Sequence, residues 1–355
     1  MRLALITCAN GLGHIKRLTK ITRHLLERLP IQSVTFFCEE YALRELKSWH
    51  DFIYIADRVA VKMVNAALPL RWHLQQESYG EWLLKWHRTM LDWDLESFDH
   101  VLSDNLVEPL LYTDRVTLIG SFLWHEVLAA AFHDAEEIQR YREMCEELLL
   151  AKRPEMIASR YFAMPTVYQQ TKVQEVGLIH FLPAGTTERS SHREKRALIA
   201  LGGAPAGQRG MDELFAVVPL LQKAQIEVLA SSPLHEKLSD QHSGIGRFDF
   251  LSDDFKSLDL AVTRGGLGTI SDCVAAQVPM FYLDDPNPEI SFNQDRLSQI
   301  GIGMPLQRLL QEDLKPLTDD RILGQMAWRM RELKLGGETE AADILADALR
   351  NSARS

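Results

Sequence analysis

Cysteine is scarce in this chain. Four occur among 355 residues, Cys8, Cys38, Cys145 and Cys273, far apart and with no C-x-x-C spacing. That excludes a disulfide framework and predicts reduced, mostly buried thiols of a cytosolic protein. Long apolar runs are lacking too: none reaches the ~18 residues that span a bilayer. The N-terminus shows no charged-then-apolar leader, so a soluble, cytoplasmic protein is expected. Positive charge is in deficit, with 39 Lys and Arg against 49 Asp and Glu, a formal net charge of −10. Such a chain does not coat nucleic acid. Metal signatures are also poor. Asp92 and Asp94 make a D-x-D, but inside a predicted helix, and no His or Cys cluster has zinc spacing. Neither a metal nor a cofactor is expected.

What is present is an average soluble mixture, 46% hydrophobic and 25% charged, long enough for two domains. Apolar runs alternate with helical periodicity. Strands are predicted at Leu3–Thr7, Ser33–Phe37, Phe52–Ile55, His100–Ser103 and Thr117–Ile119. Helices are predicted over Ile15–Leu29, Glu40–Ser48, about 75–93 and about 126–151; residues 153–176 read as mixed. The polar stretch Ala184–Lys195 reads as a linker. Strands follow at Ala197–Leu201, Ile226–Ala230 and Leu258–Val262, and residues 319–350 form a helical tail. This alternation implies parallel sheets covered on both faces, with functional residues in loops at the carboxyl ends of strands.

Two such loops carry chemistry. Val262–Gly301 opens with a strand, turns through Gly265, Gly266 and Gly268, and starts a helix near Thr269. The glycines let backbone amides approach a phosphate, and the helix offers unpaired N–H groups and its positive dipole end. Asp272, one turn in, can accept hydrogen bonds from both hydroxyls of a ribose. With the chain acidic, an anion must be held locally, by helix N-termini, by Arg264, and by Lys16 with Arg17. At the other end, RLALIT runs through CANGLGHIKR into an amphipathic helix. The third glycine of a dinucleotide fingerprint is Lys16 here, so the loop is a poor dinucleotide site. His14 reads either as a chemical group or as a helix cap. Asp104, directly after a strand, reads either as a functional carboxylate or as the cap of a helix near 105–111.

Arg264, Gly266, Thr269, Asp272, Pro279, Asn293, Leu297 and Gly301 stand in register with the donor-binding signature R-x-G-x-x-T-x-x-E … G-x-P … H-Q-x-x-N-A … L-x-x-x-G. The chain therefore resembles GT-B glycosyltransferases, above all the lipid-linked N-acetylglucosaminyltransferase of peptidoglycan synthesis. Asp272 replaces the signature's Glu, and its His-Gln pair falls at Glu289-Ile290. The wording G-x-G-H-I-K-R from Gly11 to Arg17 is similar to the UDP-sugar hydrolase of pseudaminic acid synthesis. The strand Ala197–Leu201 runs into Gly202–Gly207, which resembles the LGG-S-x-G loop of the transferases, with Ala204 for Ser.

The resemblance implies an α/β protein of GT-B type, two Rossmann-like parallel-sheet domains facing each other across a cleft. Residues 1–176 would form the acceptor-side domain, 177–195 a linker, 196–320 the nucleotide-sugar domain, and 321–355 helices crossing back toward the first. It implies an inverting transferase using a nucleotide-diphosphate sugar, UDP-linked, with His14 as base and Asp104 orienting it. Gly11, Gly13, Gly203, Ala204, Arg264, Gly265, Gly266, Gly268 and Thr269 would bind the diphosphate, Asp272 the ribose, and Glu289, Asn293 and Gln294 the sugar. Asp284-Asp285 reads as a loop pair for sugar hydroxyls. The acceptor stays open: a glycan, a lipid-linked or a small molecule. So do hydrolysis of the donor, epimerisation, and a non-catalytic binding module. Trp72, Trp82, Trp86 and Trp93, with Leu83, Leu84, Lys85, Arg88 and Met90 beside them, read as core, as an acceptor groove, or as a face touching the inner membrane surface.

Overall fold

The computed structural model describes residues 1–8, 11–66, 90, 92–182, 194–201, 208–250, 255–311 and 319–352. Its chain divides into two compact units. The first comprises residues 1–179, 287–289 and 336–355; the second comprises 180–286 and 290–335.

The first unit is built on seven parallel strands: β1 (Arg2–Ile6), β2 (Ser33–Cys38), β3 (Ala60–Asn65), β4 (His100–Asp104), β5 (Val116–Ile119), β6 (Glu155–Ser159) and β7 (Lys172–Val176). Their order is β3-β2-β1-β4-β5-β6-β7. Central strands such as β1 and β5 are nearly continuous apolar runs because helices cover both faces. The chain winds outward one way from β1 and the other way from β4, so the order reverses between these two neighbours. In such sheets the crevice for ligands lies there, outside the carboxyl ends. The register sets Ile6 beside Ser103, which brings the loop after β1 next to the end of β4.

The second unit repeats the plan with six parallel strands: β8 (Arg196–Ala200), β9 (Glu227–Ser231), β10 (Ile245–Phe248), β11 (Leu260–Thr263), β12 (Met280–Tyr282) and β13 (Gly303–Pro305). The order β10-β9-β8-β11-β12-β13 places the reversal between β8 and β11, where Ala200 pairs with Thr263.

The structure corrects several local expectations. Phe52–Ile55 is not a strand but lies in the helix His50–Ala56, whose Phe52 and Ile55 point inward three residues apart. A four-residue apolar run fits either period, and length alone does not arbitrate. The strand is instead β3, a half-buried edge whose alternation with Lys62 is weak. The block expected over 126–151 is two helices, Trp124–Ala131 and Glu136–Lys152. The D-x-D is not in a helix: Asp92 is in a turn, and Asp94, at φ 45, precedes the short 3₁₀ turn Leu95–Ser97. Trp93 is core, stacked on Phe37 at 4.5 Å between ring centroids, and Met90 is buried with it. Trp72, Trp82, Trp86, Leu83, Leu84, Lys85 and Arg88 lie outside the described residues.

All four cysteines are buried and unbridged. No described helix is long and apolar enough to cross a membrane. Of the tail helices, Asp320–Arg331 belongs to the second unit. Gly337–Ser352 belongs to the first, where Asp343 pairs with Arg28 and Glu338 with the buried Lys20 of the helix Leu12–Leu26.

Candidate active site

In the first unit, the helix Leu12–Leu26 starts almost immediately after β1, with Gly11 at its N-cap. His14 sits in its first turn, and Gly13 beside it would meet nothing within 4 Å if it carried a Cβ. Asp104 is the last residue of β4 and is fully buried. The adjacency of β1 and β4 joins them: His14 Nδ1 lies 2.6 Å from Asp104 Oδ1. With Nδ1 tied to the carboxylate, the neutral ring carries its proton there and Nε2 is the accepting nitrogen.

The carboxylate has further partners that the sequence did not announce. Arg17, one turn beyond His14, donates from Nε to Oδ2 at 2.8 Å and from Nη2 to Oδ1 at 2.7 Å. Asn105 Nδ2 donates to Oδ1 at 3.1 Å. Asn105 has a positive φ of 57, a conformation asparagine tolerates, and its side chain fills the space above Gly120. A Cβ on Gly120 would lie 1.7 Å from Asn105 Oδ1, so any side chain there would have to push Asn105 aside. Phe122 and Trp124 flank the imidazole at 6.2 and 6.3 Å between centroids.

These contacts fix the charges. Burial alone would lower the His14 imidazole. Electrostatic interactions and hydrogen bonds with Cys8 and with the Asp104 carboxylate outweigh it and hold His14 well above its ordinary value. Burial would raise Asp104, but Arg17 and then His14 pull it below its ordinary value. The imidazole and the guanidinium thus share one carboxylate, and the ring is a free acceptor at Nε2 only above its raised value.

In the second unit, β11 delivers Arg264, Gly265 and Gly266 to the start of the helix Leu267–Ala276, with Gly266 at the N-cap. Helix formation therefore begins at Leu267, slightly before the position expected from Thr269, and Gly268 and Thr269 lie in its first turn. Gly265 has φ +99, which a side chain would strain, and an added Cβ would press on Gln294 Cγ at 3.2 Å. Three residues expected to bind ligand also brace this loop. Asn293 Nδ2 donates to the Gly265 carbonyl at 3.0 Å. Gln294 Nε2 donates to the carbonyls of Arg264 and Leu283, both at 2.6 Å. Arg264 Nε donates to Asp285 Oδ2 at 2.6 Å, both side chains buried. Asp285 is thereby a partner of Arg264 inside the protein. Asn293 Oδ1, by contrast, is buried without a hydrogen-bond partner, an acceptor of the kind that a ligand hydroxyl satisfies.

Asp272 lies in the second turn of the helix Leu267–Ala276, and its Oδ1 accepts the Phe181 N–H at 2.6 Å. Glu289 opens the helix Pro288–Ile300, its N–H donating to Asn287 Oδ1 at 2.9 Å. Gly203 and Ala204 lie outside the described residues. No group of three or more His, Cys, Asp or Glu side chains among the described residues could hold a metal ion.

Two sheets of this order, each reversing at its centre, make the GT-B fold. The chain is similar over 98% of its length to the crystallised glycotransferase of kitacinnamycin, at 18% identity and TM-score 0.68, covering 99% of that chain. It matches a UDP-glucosyltransferase from Polygonum tinctorium capable of glucosylating indoxyl, with 11% identity, TM-score 0.65 and 98% of each chain covered. An uncharacterized glycosyltransferase of Methanopyrus kandleri is 28% identical over 161 residues, 43% of this chain and 45% of that protein. The chain thus spans under half the length of that curated relative. No family model matches.

Proposed function

We propose that this protein is an inverting glycosyltransferase that takes a sugar from a nucleoside diphosphate, UDP-linked, and places it on an acceptor hydroxyl. The observation that carries the reading is the His14–Asp104 pair at the sheet reversal of the first unit, 2.6 Å apart, with Asp104 fully buried and His14 partly exposed. It is supported by the fold, by the names of the similar proteins, and by the glycine loop at the corresponding reversal of the second unit.

In this reading His14, in the neutral form it takes above its raised value, accepts the acceptor hydroxyl's proton at Nε2 while that oxygen bonds to the anomeric carbon. The bond from that carbon to the phosphate oxygen breaks, and the nucleoside diphosphate leaves with the electron pair. Asp104 holds the ring and stabilises the imidazolium that forms. Amides at Gly265–Thr269, the helix N-terminus and Arg264 take up charge on the diphosphate. Asp272 engages the ribose, and Glu289, Asn293 and Gln294 line the sugar. Gly11, Gly13, Gly203 and Ala204 supply close backbone approach. The acceptor is a hydroxyl compound that the first unit binds. Where the acceptor is membrane-borne, contact is peripheral.

The favoured likeness within the fold is the peptidoglycan N-acetylglucosaminyltransferase, on the register of Arg264 to Gly301. The Gly11–Arg17 wording favours a second reading, in which water replaces the acceptor and the donor is hydrolysed. A thermal-shift panel of UDP, GDP, TDP, CMP and their sugars decides. Stabilisation by one diphosphate sugar without turnover in water supports transfer. Release of free sugar supports hydrolysis, and no stabilisation by any nucleotide removes the donor site.

A further inference from the structure

Asp104 has both oxygens engaged by one cation. Arg17 grips it with Nε and Nη2, the two-pronged geometry that a guanidinium offers and an ammonium does not. His14 and Arg17 stand three residues apart on one helix, so their side chains share a face, and Arg17 Nη2 lies 3.4 Å from His14 Nδ1. Two cations that close repel each other. Arg17 therefore opposes the protonated imidazole twice, by its own charge and by neutralising the carboxylate that favours it.

We propose that Arg17 is a positioning residue that clamps Asp104 and sets the pH at which His14 can accept a proton. This rests on His14 acting as the base, as above. The charged groups facing the imidazole divide into two sets. Cys8, two residues past the end of β1, and Asp104 from β4 favour the imidazolium, while Arg17 on its own helix sets a guanidinium 3.4 Å from Nδ1, where like charges repel. Without the clamp, Asp104 would belong to His14 alone, and the ring would keep its proton to higher pH. A cation needed only to neutralise a buried carboxylate has no reason to lie against the imidazole as well.

The test uses the full chain with isotopically labelled histidine, read by NMR titration, and pH–rate profiles with the donor found active. Arg17→Met is expected to move the His14 midpoint upward by about one pH unit, a tenfold gain in proton affinity, and to carry the low-pH limb of kcat with it. Arg17→Gln, which keeps a hydrogen bond to Asp104, replaces it if the Met variant does not fold. Arg17→Lys restores the midpoint but leaves kcat lowered, because one prong is lost. An unmoved His14 midpoint in a folded Met or Gln variant overturns the proposal. A midpoint that moves while the rate limb stays put leaves Arg17's hold on His14 intact and removes His14 from the base role instead.

Discussion

His14 and Asp104, ninety residues apart in the chain, meet at 2.6 Å because β1 and β4 are neighbours in the first sheet. Replacing the carboxylate separates orientation from occupancy. Asp104→Asn keeps the shape but loses the charge that fixes the ring's tautomer. Sugar transfer should fall about 10²–10⁴-fold, the scale of general acid–base catalysis, with donor affinity unchanged. Parallel measurement of kcat and of nucleotide binding checks this; an equal loss in both would mean a folding defect.

The same pair gives stability a definite pH dependence. His14 is raised above its ordinary value of 6.5, so its contribution is complete below 6.5 and is lost as pH rises through the higher folded value. Asp104 is lowered from 3.8, so its contribution is present above 3.8 and is lost as pH falls through the folded value. Denaturant unfolding of wild type against His14→Gln should show the largest difference between these limits. A difference that grows steadily into alkaline pH would contradict it.

Glu108 behaves oppositely. It is buried, takes the Tyr141 hydroxyl at 2.5 Å, and burial raises it from 4.5 to about 7. Between those values the unfolded chain has released a proton that the native one keeps, so stability declines as pH rises. Glu108→Gln should remove a penalty on the order of 3 kcal/mol above pH 7. Its melting temperature should exceed wild type at pH 8 and approach it at pH 4.

Gly120→Ala tests the floor of the site. The new methyl would strike Asn105, whose amide supports Asp104. Overpacking of this kind costs about 1–3 kcal/mol, and activity should drop more than the melting temperature suggests. An unchanged rate would show that Asn105 has room to yield.

Arg264 and Asp285 form a buried pair, so removing one partner alone should destabilise by about 3–5 kcal/mol. Arg264→Met with Asp285→Leu should recover much of that stability yet still bind nucleoside diphosphate weakly. Calorimetry on the double variant checks whether Arg264 does more than brace the loop.

The sheets were legible because parallel strands covered on both faces appear as apolar runs, and the glycine loop because amide approach needs glycine. Edge strand β3 was not, since one exposed side dilutes its pattern, and Phe52–Ile55 fitted either period. Asp104 at a strand end and His14 in the glycine-containing turn after β1 could be singled out from the alternation. The grip of Arg17 on Asp104 could not, because it exists only once β4 lies beside β1. Asn105 and Gly120 were invisible for the same reason: one fills the space the other leaves. The second task of Gln294 and Asn293, read as lining the sugar, was also invisible: their amide nitrogens hold the carbonyls of Arg264, Leu283 and Gly265 once the helix Pro288–Ile300 packs there.

That bracing has a consequence for recognition. In a trans peptide the N–H points opposite to the carbonyl. Asn293 seizes the Gly265 carbonyl, so it also aims the Gly266 N–H away from the helix Pro288–Ile300 and fixes it there. A loop oriented this way has paid its ordering entropy at folding. If the loop takes the diphosphate proposed above, its donors are already aligned, and affinity would follow from fit instead of from induced closure of the glycines.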